Sequence, residues 1–142
     1  MQKNKIFSLF EKTRLRSLKI SENLSNEDMC LQSMEDASPI KWHLAHTSWF
    51  FEEFVIKKVK SDFKSPDPRF NYLFNSYYVQ AGPRYQRSQR GLISKPDVKE
   101  VLTYRKMIDE MVIDLMEKQN APFEMIELGC HHEIQHQELM LT

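Results

Sequence analysis

Residues 128–139 read Leu128-Gly129-Cys130-His131-His132-Glu133-Ile134-Gln135-His136-Gln137-Glu138-Leu139. His132 and His136 are four apart, so on a helix they share one face, a single turn from each other. Two imidazoles so placed can hold one metal ion at about 2.0–2.1 Å. The face read at 125, 128, 132, 135, 136 and 139 is Met, Leu, His, Gln, His and Leu. That pattern predicts that both histidines lie in the apolar stripe and point into a helical core, where a buried imidazole needs a partner.

A second histidine cluster stands upstream, at His43 and His46. Trp42, His46, Trp49, Phe50 and Glu53 follow helical spacing, which puts His46 on an aromatic face. His46 is the natural third ligand from a facing helix, and three histidines with open positions suit catalytic zinc or non-haem iron. His43 and His131 are expected beside the ligands or at the surface, since His131 points about 100° away from His132. His-Glu-x-x-His is also the zincin signature, with Glu133 as general base. A zincin takes its third ligand downstream and packs its helix on a sheet, and neither pattern is found here.

The rest of the chain reads as helix. A first helix is expected over 6–23, with Ile6, Leu9, Phe10 and Ile20 as apolar contacts. Ser25-Asn26-Glu27-Asp28 has the form of a capping box with Asp28 as its acid, opening a short helix over 27–35. Ser38-Pro39 predicts an N-cap and a proline in the first turn of a helix running to about 58. From 61 to 94 the pattern breaks at Pro66, Pro68, Gly82, Pro83 and Gly91, with a turn or two of helix over 71–78. Ser94-Lys95-Pro96-Asp97 restarts a helix over 96–119, with Val98, Val101, Arg105, Ile108, Val112 and Leu115 on one side. A last helix follows from 122. The expected fold is all-α, a four-helix bundle with a long crossover between its second and third helices.

Composition restricts the function. Twenty basic residues balance twenty acidic ones in 142 residues, which argues against nucleic acid or an anionic membrane as the partner. The length suits one domain. No apolar run approaches the roughly 18 residues of a membrane span. Two cysteines, Cys30 and Cys130, are too few for a disulfide framework, and no secretory segment is recognisable, so a cytoplasmic location with reduced thiols is expected. The crossover between Pro68 and Pro96 carries Arg69, Arg84, Arg87, Arg90 and Lys95 without an acid. Its arginines either clamp an anionic ligand near the metal or pair with the glutamates of the last helix.

Three motifs together carry a family resemblance. Ser38-Pro39-Ile40-Lys41-Trp42-His43-Leu44-Ala45-His46-Thr47 with Trp49-Phe50-Phe51-Glu52 is the first. Leu73-Phe74-Asn75-Ser76-Tyr77-Tyr78 with Gly82-Pro83-Arg84 and Arg90-Gly91 is the second, and the stretch 128–139 is the third. In order and spacing they resemble the DinB-like N-terminal domain of ergothioneine-biosynthesis sulfoxide synthases, over essentially the whole chain. The resemblance implies a DinB-like four-helix bundle holding non-haem Fe(II) on His46, His132 and His136. It implies an O2-dependent joining of cysteine or γ-glutamylcysteine to hercynine, giving a sulfoxide. It places Gln135 near the hercynine imidazole and the carboxylate-holding arginines within Arg84, Arg87 and Arg90.

Enzymes of that family continue into a C-terminal domain resembling the formylglycine-generating enzyme, which supplies a catalytic tyrosine. The expected macromolecular partner is therefore that missing domain, or a second copy in a homodimer. Two other readings use the same residues. One is a stand-alone DinB-like metal protein that handles thiols with zinc or nickel. The other is a metal-free helical interaction module.

Overall fold

The computed structural model describes residues 2–75, 87–93 and 95–141, apart from the side chains of Gln2 and Ser88. Helices dominate in chain order: α1 (Gln2–Ser21), α2 (Asn26–Cys30), α3 (Ile40–Phe51), α4 (Lys57–Val59), α5 (Phe70–Phe74), α6 (Val98–Glu117) and α7 (Phe123–Met140). A π-helical segment, Glu52–Ile56, joins α3 to α4 without a break, and a 3-10 helix covers Arg87–Leu92. Among the described residues there is no strand, and no helix is long and apolar enough to cross a membrane. The fold is all-α, as expected.

Four long elements build the core. Thr13 meets Gln137 and Ser17 meets Glu133, so α1 and α7 run antiparallel. His43 lies beside His136 and Phe51 beside Gly129, so α3 and α7 are antiparallel too. α3 is buried at every residue from Lys41 to Phe51, the behaviour of a helix apolar nearly all round. Trp42, Trp49, Phe51 and Leu44 on it, Phe10 on α1, Ile108 on α6 and Ile126 on α7 form the densest part of the interior. The stripe expected on α6 is buried throughout, Arg105 included.

Capping decides the helix starts. The Ser25 hydroxyl accepts from the Asp28 amide at 3.0 Å, and the Asp28 carboxylate accepts from the Ser25 amide at 3.1 Å, as the sequence predicts. The helix it opens ends at Cys30, short of the expected residue 35. Ser38 caps nothing: Pro39 takes the N-cap position, and the Ser38 hydroxyl accepts instead from Arg90 at 2.8 Å. Likewise α6 begins at Val98 rather than 96, because Asp97 forms a reciprocal capping box with Glu100. Ser94, Ser76 to Tyr78 and Gly82 to Arg84 lie outside the described residues.

The expected stripe on α7 is corrected. Its buried residues are Ile126, Gly129, Cys130, Glu133, His136, Gln137 and Met140; Leu128, Gln135 and Leu139 are exposed and His132 is half-buried. A polarity pattern misplaces this face because its centre is an ion-pair cluster. Glu133 accepts from Arg14 at 2.8 Å, from Arg105 at 3.0 Å and from the Ser17 hydroxyl at 2.5 Å. Arg14 also reaches Ser48 and Asp109, and Arg105 reaches the Leu44 carbonyl and Thr47. Burial opposes the Glu133 charge, but the two guanidinium groups outweigh it and hold the carboxyl down at about 2.

Candidate metal centre

α3 and α7 bring three imidazoles to one point. His46, His132 and His136 each offer a ring nitrogen, and these atoms lie within 4.8 Å of one another. His46 and His132 face each other through Nε2 at 3.1 Å. Nitrogen ligands at 2.0–2.1 Å around one tetrahedral or octahedral ion are separated by roughly 3.0–3.4 Å, so this spacing fits a shared ion. The ring centroids are 4.5–4.9 Å apart in all three pairs.

Local chemistry orients the rings. His46 Nδ1 lies 2.5 Å from the Phe74 carbonyl. A carbonyl only accepts, so Nδ1 carries the proton and Nε2 is left as a lone pair toward the cluster. Trp42 stacks on His46 with centroids 4.5 Å apart and planes within 10°, and Phe50 stacks on His132 at 4.6 Å. Trp49 also stacks on His46, with centroids 5.7 Å apart. His132 Nδ1 is buried with no hydrogen-bond partner among the described residues.

All three imidazoles are held neutral. Burial, then the neighbouring histidines, push His46 well below its usual 6.5. Burial lowers His132 to about 4, against the pull of Glu133. His136 falls to about 2 through burial, His132 and His43. Neutral imidazole is the form that ligates a metal, so the donor set could hold a divalent ion without first losing protons.

The other expected site residues divide. Arg90 is buried, with its guanidinium 3.6 Å from the Trp42 ring centre, so Trp42 contacts both Arg90 and His46. Arg87 lies on the same 3-10 helix and faces Asp36 at 4.0 Å. Gln135 is exposed on α7, between the two ligand positions. Arg84 falls outside the described residues. Of the α7 glutamates, Glu133 is held by Arg14 and Arg105. Glu133 is thereby committed to the core rather than to a zincin role.

His43 takes the first of its two expected places, beside the ligands. It is buried, and its Nδ1 lies 2.9 Å from His136 Nδ1. The Phe74 carbonyl leaves no trace in a motif because it is backbone. His131 is exposed.

The DinB superfamily model matches residues 9–140, nearly the whole chain. No curated protein matches it. The chain therefore belongs to the DinB superfamily.

Proposed function

We propose that this DinB-superfamily chain is the metal-binding, substrate-gathering part of a non-haem iron(II) sulfoxide synthase. The reaction joins the thiol of cysteine or γ-glutamylcysteine to the imidazole of hercynine. One O2 is consumed: the S–H and an imidazole C–H are lost, a C–S bond and an S=O bond form, and the second oxygen leaves as water. Supporting this reading is the convergence of His46, His132 and His136, three neutral nitrogen donors with no carboxylate among them. Bound Fe(II) would supply the electron and O2 chemistry.

The chain's own residues then have separate tasks. His46, His132 and His136 hold the ion. Trp42, Trp49 and Phe50 wall it from water on the α3 side. Arg90 and Arg87, with Arg84 beyond the described segment, supply the forked donors that match substrate carboxylates. Gln135 offers an amide to the hercynine imidazole. In this reading a domain resembling the formylglycine-generating enzyme, or a second copy of the chain, completes the pocket.

Anaerobic titration tests the proposal. The protein should take up about one Fe(II) through its three histidines. γ-Glutamylcysteine or cysteine should bind to the loaded protein, and Arg87→Ala or Arg90→Ala should weaken that binding while leaving metal content unchanged. Equal thiol affinity in both variants would reject the assignment. The same donor set suits zinc or nickel in a stand-alone thiol-handling protein; elemental analysis of protein purified without added metal separates the two.

A further inference from the structure

We infer that His43 is the positioning residue for the ligand His136: it accepts a hydrogen bond from His136 Nδ1–H and so turns His136 Nε2 toward the metal. The inference rests on the metal reading above and concerns a residue outside the three-histidine set.

The argument is one of proton counting. His43 Nδ1 and His136 Nδ1 face each other at 2.9 Å, inside the buried interior. His43 lies outside the three-histidine group that could share an ion, so at that distance one nitrogen must carry a hydrogen and the other a lone pair, since two lone pairs or two N–H groups would repel. With its Nδ1 committed to His43, His136 has only Nε2 for an ion, and a neutral ring that ligates through Nε2 keeps its proton on Nδ1. His136 is then the donor, His43 the acceptor, and the proton of His43 sits on its own Nε2.

The arrangement parallels that of His46. There the Phe74 carbonyl takes the Nδ1 proton; here an imidazole does. A ligating histidine commonly gives its second N–H to a carboxylate, a carbonyl or water. A neutral imidazole in that position orients the ring without adding negative charge beside the metal. His43 can fill the role because its own ring is fixed. Trp42 meets it edge-on with centroids 5.3 Å apart, and the ring is buried. The i,i+3 spacing of His43 and His46 on α3 matches the i,i+4 spacing of His136 and His132 on the antiparallel α7. The four rings therefore meet as two facing pairs, His43 with His136 and His46 with His132.

The test uses Co(II) as probe, read by competition with a chelator and by visible absorption. The unchanged protein should bind Co(II). His43→Phe, which keeps a ring but has no acceptor, should weaken binding roughly 10–100-fold and alter the Co(II) spectrum. His43→Asn places an amide oxygen near the lost Nδ1 and should retain most of the affinity, and His131→Ala should change nothing. Co(II) binding that survives His43→Phe unaltered would overturn this inference alone. So would His43→Asn binding as weakly as His43→Phe, which would point to packing rather than hydrogen bonding. No Co(II) binding by the unchanged protein would overturn the metal reading as well. Nitrogen NMR of the Zn(II)-loaded protein gives a second measure: the proton should be found on His136 Nδ1 and on His43 Nε2, and a proton on His43 Nδ1 would refute the assignment.

Discussion

Arg105 of α6 and Glu133 of α7 face each other at 3.0 Å, with side chains 2% and 0% exposed. Arg14 from α1 closes on the same carboxylate, so one glutamate ties three helices at the bundle centre. Removing Arg105 leaves the buried Glu133 carboxylate with Arg14 as its guanidinium partner and takes a donor from the Leu44 carbonyl and the Thr47 hydroxyl. Arg105→Met is expected to cost about 3 kcal/mol, the low end for a broken buried pair, measured by urea denaturation of the metal-free protein.

That cluster also sets an acid limit. The Glu133 carboxyl is held at about 2 in the folded protein against its ordinary 4.5. Its contribution is therefore complete above pH 4.5 and is lost as pH falls from 4.5 toward 2. Urea midpoints taken across that window should fall with pH. Glu133→Gln should be less stable at neutral pH and show a flatter dependence; an undiminished slope in that variant would place the acid sensitivity elsewhere.

Gly129 lets α7 touch α3. A Cβ there would lie 2.5 Å from Phe51 Cε1 and 2.8 Å from its Cζ, and Phe51 is fully buried. Gly129→Ala should destabilise by about 1–3 kcal/mol, the usual cost of overpacking. Phe51→Leu should relieve part of that cost. A double-mutant cycle checks it, and strict additivity would mean the two groups do not collide.

The turn after α6 offers a gain. Gln119 sits at φ 56, in the left-handed region. The Gln119 amide bonds the Met116 carbonyl and the Asn120 amide the Leu115 carbonyl, so Gln119 occupies the C′ position that glycine usually fills. Gln119→Gly should raise stability by about 1 kcal/mol, since a side chain in this region costs roughly 1–2 kcal/mol. Thermal melting reads the change directly.

Metal removal should be visible as lost stability. An ion bound only by the folded protein at 100 times its dissociation constant adds about 2.7 kcal/mol. EDTA should therefore lower the melting temperature of the metal-loaded protein. It should have no effect on His132→Ala or His136→Ala, which are expected to hold no metal. An unchanged melting temperature in loaded protein would support the metal-free packing alternative.

Much of this architecture is legible along the chain because its signals are local. The Ser25–Asp28 box, the apolar spacing of α6 and the i,i+4 pair on α7 are decided within one or two turns. Ser38 was readable only as a cap, because its true partner, Arg90, is 52 residues away. The π-helical segment at Glu52–Ile56 has no counterpart in the periodicity, which runs through it unbroken.

The amino-acid order by itself determined that the chain is helical, where its long helices lie, and that His132 and His136 sit at a helix spacing able to share an ion. Periodicity and capping act between near neighbours, so they survive in one dimension. Only the tertiary structure decided which face of α7 turns inward, that Glu133 serves the core, and that His43 meets His136. Those outcomes depend on which charges and ring nitrogens the other helices present, and such partners lie about 28 to 119 residues apart in the chain.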